Sequence, residues 1–382
     1  MLARQAEATQ PGWRIRSGLH GWTGKRARDQ RTEHAGSLPA LTALISVADA
    51  DPVPWTSDRA AALVQPGNPE IRRSAMSSGP LPPGPAGTLK IISMNLQYGG
   101  IDRQTGDDSG ARRAIAVLTD AAPDIVLLQE MHTSDPYDLR RHLRWFASEL
   151  GMQPVMGPAG SLRVTVGNHT AMLFGPLITI RDEWPPPPPV GPPVPYVRAE
   201  VTIPGIPGLV QVHSVHLTAR SAERRLTEAE LLASYAADTI SHAISAAEQH
   251  VLIGGDFNCV PAAGSAALDL TRWQPRLLAQ RCTRAPDRSW RPDLRVGRIL
   301  HESGLRDLAA VLASRTGDDA PLAATGPGLA RVDQIHASPA QAGCVSSYGL
   351  TETDSDHLAI SVTLDPALLR SDPFDMAAAY TA

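Results

Sequence analysis

The chain has 382 residues, a formal net charge of −4 and a pI near 6.3, with 42% hydrophobic, 19% charged and 4% aromatic residues. This is the composition of a soluble globular protein with material for a large core, about two domains by length. It shows no basic run or aromatic-rich surface of the kind that grips nucleic acid, no apolar run near the roughly 20 residues needed to cross a membrane, and too few cysteines (Cys259, Cys282, Cys344) for a disulfide framework or a zinc spacing.

Residues 1–86 differ in texture from the rest of the chain. They show no sustained strand or helix period and close on the linker-like "SSGPLPPGPAGT". Residues 1–85 hold 10 Lys/Arg and 7 Asp/Glu, a net of +3, which leaves −7 for the remainder. This segment is expected to be a disordered leader, with Met76 as an alternative start. "LPALTALISVADA" (38–50) looks like a signal core with small residues after it, but a long charged segment precedes it. The cytoplasm is therefore the expected compartment over secretion.

From Leu89 short apolar strands alternate with helices. The predicted strands are 89–96, 124–130, 170–174, 196–203, 209–217, 250–258, 331–337 and 357–364; the predicted helices are 109–121, 136–150, 221–247 and 295–313. In the third helix Leu226, Ala229, Leu232, Ala236, Ile240 and Ile244 recur near helical spacing. Several strands are apolar on both faces, which fits sheets covered on both sides. The neighbours 196–203 and 209–217 suggest antiparallel pairing as well. The expectation is an α/β (α+β) sandwich of mixed sheets over residues 87–366, followed by a tail at 367–382. "WPPPPPVGPPVP" (184–195) has no place in a central ladder and reads as a stiff surface loop.

Polar residues collect where the apolar strands end. "IISMN" ends in Asn95, "DIVLLQE" in Glu130, "VHSVHL" carries His216, "GGDFN" carries Asp256 and Asn258, "RVDQI" carries Asp333, and "SDH" supplies Asp356 and His357. Alternation along a strand places Asp256 and Asn258 on one face, with Gly254 and Gly255 leaving room for a close approach. A carboxylate beside an amide suits a bound water or a hard metal ion; a simple Asx turn accounts for the same pair. Strand ends on one edge of a sheet can converge, so the set says more than any member.

In this order and over residues 88–365, the motifs resemble those of the endonuclease/exonuclease/phosphatase superfamily, metal-dependent phosphoesterases. The resemblance implies a four-layer sandwich, two packed mixed β-sheets flanked by helices. It implies one or two Mg²⁺ or Mn²⁺ ions on Asn95, Glu130 and Asp356. It also implies catalytic roles for His216, Asp256, Asn258, Asp333 and His357: Asp256 to deprotonate the attacking water, Asn258 and His216 to hold water or phosphate, and His357, supported by Asp333, to bond the phosphoryl group. The substrate it implies is a phosphate ester, nucleic acid included, and the expected reaction is phosphodiester hydrolysis, with a phosphomonoesterase as the alternative. A non-catalytic binding module on this fold is disfavoured by the presence of Glu130, Asp256 and His357 together. Arg220, Arg224 and Arg225 come soon after His216; Arg220 is a candidate substrate contact, and two of the three are expected to face solvent. No basic insertion for duplex DNA is apparent, and no partner protein is implied.

Overall fold

Two six-stranded sheets lie face to face between outer helices, as the computed structural model describes for residues 87–132, 136–156, 169–184, 196–242 and 250–369. All of these fall in the second of two compact units, Ser57–Ala382. The expected leader, the proline-rich 185–195 and the tail beyond 369 lie outside the described residues.

The first sheet is built from β1 (Leu89–Asn95), β2 (Ile125–Met131), β3 (Gln153–Met156), β4 (His169–Phe174), β13 (Val345–Thr351) and β14 (Ala359–Leu364) in the order β13-β14-β1-β2-β4-β3. The second comprises β5 (Thr179–Trp184), β6 (Tyr196–Thr202), β7 (Val210–His216), β8 (His250–Asp256), β11 (Arg306–Asp307) and β12 (Asp333–Ala337) in the order β11-β12-β8-β7-β6-β5. Each sheet has the same centre. β1 pairs in parallel with β2 and antiparallel with β14; β8 pairs in parallel with β7 and antiparallel with β12. A small hairpin, β9 (Cys282–Arg284) with β10 (Trp290–Pro292), stands apart.

Alternation along the strands builds the layers. Ile91, Ile125, Leu127, Met172, Val197, Val212, Leu252, Ile335, Ile360 and Val362 fill the space between the sheets. The opposite face of the first sheet (Ile92, Met94, Val126, Leu128) packs on α1 (Ser109–Ala121) and α2 (Pro136–Leu150). The outer face of the second (Val215, Val251, Ile253) packs on α3 (Ala222–His242) and α5 (Arg295–Glu302). A fourth cluster, with Val260, Trp273, Leu277, Ala330 and Val332, gathers around α4 (Pro275–Arg281). The remaining helices are α6 (Leu308–Thr316) and the short α7 (Pro339–Ala342).

Three expectations are corrected. The helix expected over 295–313 is two, α5 and α6, because Gly304 takes φ +96 and the chain then adds the short edge strand β11. The strand expected from 331 starts at Asp333; Arg331 instead turns inward to a buried ion pair with Asp307 at 2.5 Å. The strand expected through Asn258 stops at Asp256, and Asn258 has φ +50. Gly254 and Gly255 serve close approach, but of protein to protein. A Cβ on Gly255, at φ +147, would lie 1.9 Å from the Val215 carbonyl oxygen, and one on Gly254 would lie 2.5 Å from Leu127 of the facing sheet.

Candidate active site

The equivalent ends of the two sheet centres bring the polar residues together. Ladder register in the second sheet places Asp256 between His216 on β7 and Asp333 on β12. The first sheet contributes Asn95 from the end of β1, Glu130 from β2, and His357 just ahead of β14. Asn95, His216, Asp256, Asn258, Asp333 and His357 are all buried, whereas Glu130 is partly exposed.

Asp256 is the hub. Its Oδ1 accepts the Asn258 backbone N–H at 2.8 Å, so the Asx turn expected as the plain alternative is present. Its Oδ2 is the site-facing atom: Asn95 Nδ2 donates to it at 3.2 Å, and His216 Nε2 and His357 Nε2 stand 3.5 and 3.7 Å away. Asn95 Nδ2 also reaches Glu130 Oε1 at 3.4 Å, and Glu130 Oε2 accepts the Tyr98 backbone N–H at 3.2 Å. Glu130 is aimed by its backbone. It has φ +55 and lies where the β2–β4 register shifts, as a bulge that redirects a side chain. The facing loop is equally constrained, with Gln97 at φ +46 and Tyr98 at φ +61.

His357 Nδ1 bonds Asp333 Oδ2 at 2.8 Å. Burial opposes a charge on this imidazole, but the carboxylates of Asp333 and Asp256 outweigh it and push its pKa up to about 10. His357 is thus an imidazolium at neutral pH, with Nδ1 held by Asp333 and Nε2 left as a donor beside Asp256. Thr325 braces the pair: its Oγ1 accepts from the backbone N–H groups of Val332 and Asp333, and its carbonyl accepts from Leu358.

The donor set fits a hard divalent cation. Two carboxylates, Glu130 and Asp256, converge on the Asn95 Nδ2 donor, and such crowding of negative charge favours a cation; the Asn95 oxygen, which accepts the Gln97 backbone N–H at 3.0 Å, would join them as a ligand with the amide turned over. Among the described residues, Asp256, Asp333 and His357 also have donor atoms within 4.8 Å of one another, but a protonated His357 has no lone pair for a metal, so that trio is an acid–imidazolium network and not itself the cation's ligand set. Asn95 and Glu130, both assigned to the ion by the resemblance, are in contact. Asp356 makes no hydrogen bond to either; its carboxylate acts on the neighbouring imidazole of His357. Arg220 is exposed.

Arg225, expected by its position to face solvent or phosphate, is 1% exposed. It donates to the Thr218, Ala219 and Gln280 carbonyls at 2.8, 3.3 and 2.5 Å. Arg224 bonds Glu228. Two contributions have no counterpart among the sequence-based expectations. Arg281 donates to Asn258 Oδ1 at 3.0 Å, and the chain Ser93–Gln129–Ser214 links the two sheets. The polar Ser93, Gln129 and Ser214 inside apolar strands are visible signals for the second. Residues 262–300 are a net basic segment: 8 arginines against 3 aspartates, a net of +5, with Trp273 and Trp290. Arg276, Arg284, Arg288, Arg291 and Arg298 are exposed in it, and Arg284 stacks on Trp290 at 3.7 Å.

A sandwich of two mixed sheets that presents carboxylates, amides and a carboxylate-supported imidazolium at one rim is the framework of a phosphoesterase. The match to the family profile extends over residues 92–357, and the chain belongs to the endonuclease/exonuclease/phosphatase family. Its members are metal-dependent phosphoesterases, nucleases and phosphatases among them, and this chain is one of these hydrolases. None of the curated proteins matches by sequence. Solved structures share the fold. The 3′ phosphatase NExo from Neisseria, bound to a product DNA hairpin, is 17% identical and has a TM-score of 0.51 over 72% of this chain and 99% of that one. Humanized TDP2 from D. rerio is 18% identical, with TM-score 0.46 over 73% and 99%. The human Nocturnin catalytic domain with a sulfate anion is 13% identical, with TM-score 0.46 over 72% and 92%. Among the described residues no helix is long and apolar enough to cross a membrane.

Proposed function

We propose that this protein is a Mg²⁺- or Mn²⁺-dependent phosphodiesterase that hydrolyses its substrate by in-line attack of water. The observation that carries the reading is Asp256 Oδ2, a carboxylate oxygen that accepts from the Asn95 amide at 3.2 Å and lies within 3.7 Å of two imidazole nitrogens. Glu130 and Asn95 would hold the ion, and Asp356, next to His357 in the chain, would complete its ligands. When bound, such an ion withdraws charge from the phosphoryl oxygens.

The protein's own groups do the rest. Asp256 Oδ2 accepts a proton from the attacking water, which the hydrogen bond from Asn258 to Oδ1 leaves it free to do. His357, already protonated, is a poor base and a good donor; from Nε2 it bonds a phosphoryl oxygen as negative charge builds there. Asp333 holds the imidazole's orientation and charge. His216 Nε2 and the amide of Asn258 are further contacts to the phosphate. The exposed arginines of 262–300 favour a polyanion, such as a nucleic acid, over a small neutral ester.

The test is hydrolysis of bis(p-nitrophenyl) phosphate, p-nitrophenyl phosphate and single- and double-stranded oligonucleotides, before and after chelation. Diester cleavage that EDTA abolishes and Mg²⁺ or Mn²⁺ restores is the expected result. Full activity in metal-free buffer would refute the mechanism, and preference for the monoester would convert the enzyme to a phosphatase.

A further inference from the structure

We propose that Arg281 is a positioning residue for this site: it fixes the carboxamide of Asn258 so that an amide N–H is presented to the substrate. The inference rests on the reading of Asn258 as a phosphate contact.

Arg281 is the last residue of α4 and only 4% exposed. Its guanidinium donates to Asn258 Oδ1 at 3.0 Å and to the Pro327 carbonyl at 2.6 Å. A guanidinium has donors and no acceptor, so it can face only the oxygen of the carboxamide. The nitrogen is thereby turned the other way, where it donates to the Leu217 carbonyl at 3.0 Å. An NH₂ group has two hydrogens, and that bond uses one. The Asn258 backbone N–H is meanwhile tied to Asp256 Oδ1 at 2.8 Å, which holds the residue itself next to that carboxylate. Accepting from a cation also polarises the amide and strengthens its N–H as a donor.

Burying a guanidinium is costly unless its charge is met. Burial weakens the hold of Arg281 on its proton, and the carboxylates of Asp256 and Asp333 oppose that effect. The cation is thus sustained by the same acids that define the site. Arg225 clamps the Gln280 carbonyl, one residue before Arg281, and so anchors the end of α4 to the turn after β7. A purely structural role is the competing explanation. Through Pro327, Arg281 also holds the loop that packs on His357, where a Cβ on Gly326 would lie 3.0 Å from the imidazole.

Two measurements separate these roles. The chain has four asparagines, Asn68, Asn95, Asn168 and Asn258, so [¹⁵N]asparagine labelling yields four side-chain NH₂ pairs, assignable with Asn258→Ala. In Arg281→Met the Asn258 pair should shift and broaden while the fold remains. With Mn²⁺ and bis(p-nitrophenyl) phosphate, kcat should fall roughly 10- to 100-fold with KM nearly unchanged, and adding Asn258→Ala should cost little more. Arg281→Lys, which keeps the charge but reaches one acceptor at a time, should lie between. If Arg281→Met does not fold, Arg281→Lys decides: a displaced Asn258 signal with intermediate kcat supports positioning, and an unchanged signal with wild-type kcat overturns it. An unperturbed Asn258 pair in folded Arg281→Met, or losses that multiply with Asn258→Ala, also overturns it. If the wild-type protein leaves the diester intact, the phosphodiesterase reading fails, and the NMR result alone decides whether Arg281 orients the amide.

Discussion

The two sheets share a central topology but position their site residues by different physics. In the first, backbone conformation places the side chain: Glu130 is at φ +55 in a bulge, and Gln97 and Tyr98, just past Asn95, are at φ +46 and +61. In the second, ladder register and buried polar bonds do so. Asp256 pairs with His216 and Asp333 across the ladders, Asp333 grips His357, and Arg281 grips Asn258. Asn258 also has a positive φ, but asparagine tolerates that conformation and is held by its partners. The difference suggests a division of labour. On the proposed mechanism the strained side would present ligands to a metal that completes their coordination, and the bonded side would fix the proton-handling groups before any ligand arrives.

Each side can be broken separately. On the bonded side, Asp256→Asn should lower kcat by roughly 10³-fold or more, as expected for removing a general base, with little change in thermal unfolding; near-normal turnover would remove Asp256 from the chemistry. His357→Ala should cost roughly 10²-fold, and Asp333→Asn should act in the same direction. Both together should cost scarcely more than His357→Ala alone, because the pair works as one unit; additive losses would dissolve it.

The strained side should respond differently. A Cβ at Gly99, where φ is +72, would lie 2.6 Å from the His132 carbonyl oxygen, next to the residue that bonds Glu130. Gly99→Ala should destabilise the fold by about 1–3 kcal/mol and raise the Mn²⁺ concentration needed for half-maximal activity, while turnover at saturating metal recovers. Failure to recover would place the effect on the bonded side.

Protonation provides a subtler contrast. The folded His357 imidazole, at about 10, lies above its ordinary 6.5. Its contribution to metal-free stability is therefore complete below pH 6.5 and lost as pH rises through 10. His357→Gln should flatten the stability profile in that window; an unchanged slope would show that the imidazole is not charged. The smallest effect belongs to the basic segment 262–300. Arg284→Ala with Arg288→Ala should raise KM for an oligonucleotide a few-fold and lessen its salt dependence by roughly one or two ion contacts, with no effect on bis(p-nitrophenyl) phosphate.

Much of this arrangement is legible in the sequence. The helices at 109–121 and 136–150 coincide with Ser109–Ala121 and Pro136–Leu150 because their apolar stripes are strong and bounded. The eight expected strands form with their ends moved by one or two residues, because buried strands carry apolar runs. The strands without a clear pattern, β3, β5 and β13 among them, lie at or near sheet edges, where partial exposure erases the alternation; only Val345 is fully buried in β13. The polar cluster can be read because each member stands at or within a few residues of one end of an apolar strand. Arg281 cannot. Its partners are 23 and 46 residues away, and in a chain with 33 arginines and two lysines one more arginine has no local signature.

The split of the site between two sheets has a consequence for the protein's life before it is complete. Asn95 and Glu130 meet Asp256 only once residues 161 positions apart have been brought face to face. On the proposed mechanism neither half of the sandwich holds a working set of groups, so a nascent or partly folded chain would leave the phosphate esters around it intact. Loss of activity in denaturant should accordingly track the collapse of tertiary structure as a whole, and the enzyme's own turnover would serve as a sensitive gauge of the fully assembled population.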